Sequence, residues 1–216
     1  MKPKDRLQSA RLLLVTDPRP DLVARVEAAV RGGVDIVQLR DKRTPREELL
    51  PLAVGLKEIC DRAGALFTVN DDVELARLSG AAGVHLGQED DPVVSAREML
   101  TPGAIVGRSV GNANEALGAV REGADYLGVG TVYYTPTKPD ATVTGPILLR
   151  EVARLKLPIP WFAIGGVTLE TARAVAHAGA PGFAVVRAVL DAEDPEAAAR
   201  KLRSYLPDRP EGYPRG

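Results

Sequence analysis

The chain contains few of the residues that form disulfides and zinc sites. Among its 216 residues are one cysteine, Cys60, and two histidines, His85 and His177. A single cysteine excludes an intrachain disulfide, and so small a set of soft ligands argues against a zinc site. We expect Cys60 to be a small buried hydrophobic residue, His85 to be a hydrogen-bonded core residue, and His177 to be exposed on a helix.

The chain also lacks long apolar runs and an excess of charge of either sign. It has 28 basic and 29 acidic residues, which gives no indication of nucleic acid or an anionic membrane as a partner. No apolar run approaches the roughly 20 residues that span a bilayer. The N-terminal segment is charged, and its apolar run has only the length of a strand, so we do not expect a signal peptide. The composition predicts a cytoplasmic protein.

Short aliphatic runs alternate with longer segments of helical pattern along the chain. The runs recur roughly every 20 to 30 residues, which is the length of a βα unit. Several are apolar through most of their length, as expected for parallel strands that are covered on both faces. The predicted strands are residues 12–16, 36–40, 66–70, 83–87, 105–110, 126–130, 161–165 and 183–187.

Capping signals mark the helices between these strands. Residues 44–47 (TPRE) have the pattern of a capping box with proline at the first helical position, and Asp91-Pro92 and Asp194-Pro195 repeat the cap-then-proline order. Glycines stand where helices are expected to end, a few residues before the next strand. These glycines are Gly32, Gly33, Gly64, Gly123 and Gly179.

Eight βα units in a chain of this length predict an α/β fold, a single (β/α)₈ TIM barrel that forms one domain over residues 1–216. Residues 207–216 are expected to be a frayed tail. The alternative is an open doubly wound sheet, but no G-x-G-x-x-G follows the first predicted strand. A G-x-S-x-G motif and a Walker A motif are absent as well.

Polar residues and glycines concentrate where the predicted strands end, which is where TIM-barrel chemistry is carried out. Gln38 and Arg40 alternate with apolar neighbours and therefore point to the same side of their strand. Both predicted strands before Asp71 and Asp90 end in aspartate doublets. The candidate site residues are Gln38, Arg40, Lys42, Asn70, Asp71, Asp90, Ser109, Thr135, Thr137, Lys138, Gly165, Gly166, Val186 and Arg187.

These residue types suit a phosphorylated substrate and a hard metal ion. Carboxylates such as Asp71 and Asp90 hold Mg²⁺ together with phosphate oxygens. A glycine turn after the seventh strand that faces the end of the eighth is the usual phosphate site of this fold. Arg40, Lys42 and Lys138 can neutralise a diphosphate group. The chain has only seven lysines against 21 arginines, and two of the seven lie among these candidates.

Structural roles for the same residues remain open alternatives. One aspartate of each doublet, 71–72 and 90–91, is expected to cap the following helix, which leaves the other carboxylate spare. The segment 40–42 could be a solvated turn, Gly165-Gly166 a tight turn, and Ser109 a structural serine. The occurrence of all these features at one end of the predicted barrel favours the functional interpretation.

Six segments, in order along the chain, resemble the thiamine-phosphate synthase family. They are residues 38–42 (QLRDK), 70–76 (NDDVELA), 85–90 (HLGQED), 123–126 (GADY), 135–138 (TPTK) and 164–166 (IGG). The resemblance implies a transferase that joins hydroxymethylpyrimidine diphosphate to hydroxyethylthiazole phosphate. Diphosphate leaves first and gives a pyrimidine-methyl cation, which the thiazole nitrogen then attacks. The products are thiamine phosphate and diphosphate, and Mg²⁺ is the implied cofactor.

The resemblance also implies roles for the candidate residues. It assigns Mg²⁺ to Asp71 and Asp90, and the pyrimidine amino group to Ser109. The implied contacts of the pyrimidine diphosphate are Gln38, Arg40, Lys42, Asn70 and Lys138. The implied contacts of the thiazole phosphate are Thr135, Thr137 and the backbone near Gly166 and Val186.

Two positions depart from the family pattern. Gly111 stands where the family usually has His, and Arg187 stands where it commonly has Ser. We expect Arg187 to add a charged contact to the thiazole phosphate. Residues 131–145, a long segment without predicted secondary structure, are expected to form a lid that is mobile without ligand and closes over the diphosphate.

Two other functions remain as alternatives. A thiazole tautomerase of the same superfamily would share the segment 107–110 (GRSV), but it needs an acid–base group beside the thiazole and no second aspartate cluster. A non-catalytic barrel that binds a phosphorylated ligand would need neither the two aspartates nor Lys138. The sequence leaves the oligomeric state open, a homodimer included.

Overall fold

Eight parallel strands form a closed barrel in the computed structural model, which describes residues 2–206. The strands pair in chain order, and β1 closes the ring against β8. The (β/α)₈ TIM barrel predicted from the sequence is therefore confirmed, and the open sheet is excluded. The strands are β1 Leu12–Val15, β2 Ile36–Leu39, β3 Leu66–Asn70, β4 Gly83–Leu86, β5 Ile105–Val110, β6 Tyr126–Val129, β7 Trp161–Ile164 and β8 Phe183–Val185.

Helices surround the barrel, and one further helix covers its N-terminal end. Within residues 2–206, no helix is long and apolar enough to cross a membrane. The expected frayed tail, residues 207–216, lies outside the described residues. The helices are α1 Pro3–Ser9, α2 Leu22–Arg31, α3 Arg46–Ala63, α4 Val73–Leu78, α5 Val93–Met99, α6 Ala113–Arg121, α7 Gly145–Arg154, α8 Ala172–His177, α9 Arg187–Leu190 and α10 Pro195–Arg203.

Two of the three predicted helix starts are wrong. Pro45 and Pro92 are the N-caps of α3 and α5 rather than the first helical residues, and neither helix has a side-chain cap. The hydroxyl of Thr44 instead donates to the carboxylate of Asp41, 2.8 Å away, because this loop folds back on its own aspartate. Asp194 does cap α10, by accepting a hydrogen bond from Ala197 N at 3.0 Å.

The apolar core has two layers. Inside the barrel, side chains from alternate strand positions pack together, and Leu7 of α1 joins them from the N-terminal end. Outside the barrel, the other strand positions pack against the helices, and this layer includes Cys60. Cys60 and His85 are buried and His177 is exposed, as the sequence predicts. Because all strands are parallel, their polar C-terminal residues meet at the end opposite α1.

Candidate active site

Two carboxylates and a lysine lie together at the C-terminal ends of β2, β3 and β4. Lys42 Nζ is 2.8 Å from an oxygen of Asp71. The carboxyl groups of Asp71 and Asp90 face each other, and burial together with this facing carboxylate raises the pKa of Asp90. The backbone N–H of Gly87 donates to Asp90 at 2.6 Å and holds that side chain in place. The result is a compact, charged cluster that suits a phosphorylated, metal-bound ligand.

The sequence predicts that one aspartate of each doublet caps the following helix, but only the first doublet does so. Asp72 caps α4 by accepting from Leu75 N at 2.8 Å, which leaves Asp71 free of that duty at a left-handed φ of 60°. In the second doublet neither residue caps α5. The loop that carries this doublet is held instead by Arg108, which donates to the carbonyl oxygens of Gln88 at 3.2 Å and Asp91 at 2.9 Å.

The cationic residues before β3 are presented by a folded loop. The hydroxyl of Thr16, at the end of β1, accepts from Arg40 N at 2.9 Å and so positions the backbone of Arg40. Asp41 accepts from the backbone of Arg43 and Thr44, and these bonds lower its pKa although burial opposes the change. The segment is therefore not a simple solvated turn. Arg40 is half-buried, whereas Lys42 is largely exposed.

Below the charged cluster, two rings form the floor of the site, an arrangement that the sequence did not predict. The imidazole of His85 and the ring of Tyr126 lie 5.3 Å apart, between centroids. A Cβ on Gly107 would come within 2.4 Å of His85 Nδ1 and 2.2 Å of Tyr126 Cζ, so only glycine fits there. The alternation of Gly107 with Ser109, and of Tyr126 with Gly128, on paired strands is the signal that could have revealed this floor.

Ser109 and Gln38 extend this floor. Ser109 Oγ lies 3.0 Å from Nε2 of His85, and burial lowers the pKa of His85 to about 4, so the imidazole is neutral at pH 7. Gln38 is only 3% exposed. It lies near the hydroxyl of Tyr126, whose pKa is raised by burial. Gln38 is therefore more buried than the other polar side chains among the candidates.

Gly111, which stands where the family usually has His, lies beside the carboxylate of Glu115. The N–H of Gly111 donates to the carboxylate of Glu115 at 2.6 Å. That carboxylate also accepts from Asn112 Nδ2 at 2.6 Å and from Gln88 Nε2. A Cβ at Gly111 would approach Gln88 and Glu115 at ordinary contact distances of 3.5 and 3.6 Å. Thus a side chain is sterically tolerated there, and the hydrogen-bonded carboxylate occupies the space beside it.

Gly165 and Gly166 follow β7 in left-handed conformations, with φ values of 95° and 62°. A Cβ on Gly165 would lie 2.4 Å from Thr131 Cγ2, and one on Gly166 would lie 2.6 Å from Tyr133 Cβ. The backbone of the β6–α7 segment is therefore packed directly on this turn. Val132 N donates to Ile164 O at 2.9 Å, and Tyr133 N donates to Gly165 O at 3.0 Å.

The remaining candidates lie around this glycine turn on more exposed segments. Thr135, Thr137 and Lys138 belong to the β6–α7 segment, with Lys138 exposed. Val186 ends the β8 region and is the N-cap of the short helix α9, which begins at Arg187. The side chain of Arg187 is exposed, and within residues 2–206 neither Lys138 nor Arg187 forms an ion pair. These side chains are at the correct end of the barrel but are not drawn into the cluster around Asp71.

Comparisons with known proteins indicate the family to which the chain belongs. A thiamine-phosphate synthase of Thermosynechococcus vestitus is 48% identical over 201 residues, which are 93% of this chain and 57% of that protein. One of Mycobacterium bovis is 45% identical over 217 residues, with coverage of 94% of this chain and 97% of that protein. A thiamine phosphate pyrophosphorylase structure from Pyrococcus furiosus has a TM-score of 0.83 and 39% identity, and the match covers 94% of this chain and 96% of that one.

The chain spans little more than half the length of two of these relatives. It covers 57% of the Thermosynechococcus vestitus protein and 56% of a Gloeobacter violaceus protein. The match to the family model is nevertheless continuous across the barrel. The model described as thiamine monophosphate synthase matches residues 12–189, from the start of β1 to α9. On these grounds the chain belongs to the thiamine monophosphate synthase family.

Proposed function

We propose that the chain condenses hydroxymethylpyrimidine diphosphate with hydroxyethylthiazole phosphate, and releases thiamine phosphate and diphosphate in the cytoplasm. The observation that carries the proposal is the cluster of Lys42, Asp71 and Asp90 on three adjacent strand ends. Family membership supports the same reaction. The chemistry requires orientation, charge neutralisation and exclusion of water rather than a nucleophilic side chain.

The donor set fits a magnesium ion. Within residues 2–206 no group of three or more His, Cys, Asp or Glu residues is arranged to hold a metal. Mg²⁺ commonly uses only one or two carboxylates, together with water and substrate phosphate oxygens. Two facing carboxylates, with a raised pKa at Asp90, are a pair whose repulsion a cation relieves. Asp71 and Asp90 would hold the ion, which would supply positive charge to the departing diphosphate.

The chain's own cations would bind and stabilise the diphosphate. Lys42 neutralises Asp71 in the ligand-free arrangement and can turn toward phosphate oxygens when a metal takes over that carboxylate. Arg40, Asn70 and Lys138 would complete the contacts from neighbouring strand ends and from the β6–α7 segment. Spreading the charge over several donors makes diphosphate a better leaving group, and so favours the pyrimidine-methyl cation.

The rest of the site would position the two heterocycles. Ser109, held by His85, would accept or donate a hydrogen bond at the pyrimidine amino group, with Gln38 beneath it. Thr135, Thr137 and the backbone of Gly165, Gly166 and Val186 would hold the thiazole phosphate. These placements bring the thiazole nitrogen toward the pyrimidine methylene carbon, where attack occurs.

The site contains little that favours the tautomerase. His85 has a pKa of about 4 and lies beneath the site, so it is a poor proton carrier at neutral pH. Glu115, beside Gly111, already accepts several hydrogen bonds. A non-catalytic barrel would not require the facing pair of Asp71 and Asp90. The transferase uses every group of the charged cluster.

Diphosphate release tests the proposal. Purified protein is mixed with both substrates and Mg²⁺, with a matched EDTA sample, and thiamine phosphate is quantified in parallel. We expect release that needs both substrates and the metal, with thiamine phosphate formed in step. Asp90→Asn should require more Mg²⁺ for half-maximal rate, whereas Lys156→Gln, an exposed lysine outside the site, should not. No release by the wild-type protein would reject the proposed reaction.

Arg187 offers a narrower test of substrate contacts. Its exposed guanidinium lies at the start of α9, beside the proposed thiazole-phosphate site. An exposed ion pair contributes roughly 0.2–1 kcal/mol, so Arg187→Ser should raise the KM for thiazole phosphate by about 1.4-fold to fivefold. The KM for the pyrimidine diphosphate should not change. Arg121→Ser, at the end of α6, is the matched control. If Arg187→Ser had the same KM for thiazole phosphate as wild type, the contact would be rejected.

A further inference from the structure

A cavity far from the candidate active site is lined by cationic side chains that have no role in the proposed reaction. Its volume is about 710 Å³, and it lies between α1, the end of α3 and the segments that lead into β3, β4 and β5. Strand N-termini meet at this end of the barrel, so the length of the strands separates the cavity from the strand ends that carry Asp71 and Asp90. We call it the basal cavity. Its volume falls within the range of pockets that bind small organic ligands.

The walls of the basal cavity are strongly cationic. Lys2, Lys4, Arg6 and Lys57 line it, and within residues 2–206 Asp61 is the only carboxylate that does so. The chain as a whole has a net charge of −1, and three of its seven lysines are found here. Lys57 pairs with Asp61 at 2.5 Å, which leaves the other three cations without an acid on the cavity wall.

Lys4 and Arg6 differ in whether they have an ion-pair or hydrogen-bond partner. Lys4 reaches out of the cavity to Asp125, 2.8 Å away. Arg6 forms no ion pair within residues 2–206, and its Nη2 atom is buried without a hydrogen-bond partner. Buried polar atoms in folded proteins are almost always paired with protein, water or ligand. Arg6 lines the cavity, with Nη2 buried behind the wall, so an anion that enters the cavity beside the guanidinium would balance this charge.

We infer that the basal cavity is a second binding site of this protein, and that its ligand is an organic phosphate. The planar guanidinium of Arg6 matches the spacing of phosphate oxygens, and Lys57 and Lys2 add point charges. The cavity is much larger than a phosphate group. Its remaining wall includes Phe67, Ala82 and Pro102, which suits the carbon skeleton of the ligand. The site is independent of the proposed transferase reaction.

Tungstate, a heavy-atom analogue of phosphate, locates the site directly. Crystals of the wild-type protein are soaked in tungstate, and anomalous difference maps are calculated. We expect a peak within hydrogen-bonding distance of the Arg6 guanidinium. A peak near Lys42 or Lys138 would show anion binding at the candidate active site and would not support a site in the basal cavity. Peaks only at that other end would overturn the inference.

Calorimetry with inorganic diphosphate tests binding in solution. The wild-type protein should bind diphosphate at two sites, one at each end of the barrel. Arg6→Gln should weaken one of them about tenfold to a hundredfold, which is the range for a charge-assisted hydrogen bond. Lys156→Gln, which removes one exposed lysine from the α7–β7 loop outside the cavity, is the matched control and should keep both.

Folding of the variants is checked by circular dichroism and thermal unfolding before each titration. If Arg6→Gln does not fold, Lys57→Gln replaces it, because Lys57 is partly exposed on α3 and its loss removes only one surface pair. Identical binding at both sites in the folded variant and in wild type would overturn the inference. The transferase assay is separate, so its failure would leave this result unaffected.

Discussion

Gly165 is a residue at which a single methyl group should disturb the candidate site. Its φ of 95° is unfavourable for any side chain, and a Cβ would lie 2.4 Å from Thr131 Cγ2 and 2.9 Å from Thr131 Cα. Gly165→Ala should therefore destabilise the fold by about 1–3 kcal/mol and push the β6–α7 segment off the turn. Urea denaturation measures the first effect, and a raised KM for thiazole phosphate measures the second.

The control for Gly165 is a glycine in a helix with free space around it. Gly118, within α6, has no neighbouring atom within 4 Å of an added Cβ. Gly118→Ala should stabilise the protein by roughly 0.5–1 kcal/mol and leave both KM values unchanged. If the two variants behaved alike, the steric argument for Gly165 would be wrong.

Cys60 should be unreactive until the protein unfolds. Burial raises the pKa of its thiol from 9.0 to about 12, so the folded protein keeps the thiol neutral and shielded at pH 8. Labelling with a disulfide reagent at that pH should be slow, and fast in urea. Because the folded pKa is the higher one, this group's contribution to stability is complete below about pH 9 and declines as the pH rises toward 12. Rapid labelling of the native protein would contradict this picture.

At the residue scale, the sequence predicted which charged residues lie at the strand ends better than it predicted how their side chains are arranged. Asp71 is spare because Asp72 alone caps α4, as the sequence predicted, whereas neither Asp90 nor Asp91 caps α5. That Asp71 and Asp90 face each other depends on the register in which β3 pairs with β4, and on the loops that follow these strands. The ring of Tyr126 beneath the site was missed because its apolar strand looks like any other buried strand.

At the scale of elements, the β6–α7 segment combines a fixed base with an exposed tip. At the base, Thr144 N donates to Thr131 O at 2.8 Å and Gly145 N donates to Val132 O at 3.0 Å. At the tip, the bonds are local turns, such as Lys138 N to Thr135 O at 3.3 Å. We therefore expect the predicted lid movement to involve only the tip, which carries Lys138.

Amide hydrogen exchange can test this division. Tip amides should exchange quickly in the free protein and at least tenfold more slowly with pyrimidine diphosphate and Mg²⁺ bound, because ligand contacts to Thr135 and Lys138 order the turn. Amides at the base, Val132 and Gly145, should be protected in both states and serve as the internal control. Equal protection of the tip in both states would contradict a closing lid.

Strands were easier to predict than helix starts for a physical reason. A strand buried on both faces needs a continuous apolar run, which is visible in the sequence, and all eight were located to within two residues at either end. A helix start depends on where the loop before it turns. At Thr44 and Asp91 that loop uses its own bonds, to Asp41 and to Arg108, which a sequence pattern does not reveal.

At the scale of the whole molecule, the two ends of the barrel differ in the residues they carry. Charged residues and the glycine turn occupy the C-terminal end, where loop variation does not alter the core. The N-terminal end is closed by α1, and Leu7 of this helix inserts into the barrel interior with only 1% of its surface exposed. Stability should therefore depend on Leu7, whereas the proposed transferase reaction should not.

Leu7→Ala tests this separation. Removing a buried leucine side chain leaves a cavity at the bottom of the barrel and should lower the free energy of unfolding by about 2–5 kcal/mol. At a temperature where the variant stays folded, the rate of diphosphate release and both KM values should match wild type. The neighbouring Gln8→Ala, on the same helix but partly exposed, should change stability by less than about 0.5 kcal/mol. A large loss of activity in folded Leu7→Ala would mean that α1 also positions the opposite end of the barrel, because strain introduced at one end of closely packed strands can be transmitted to the other.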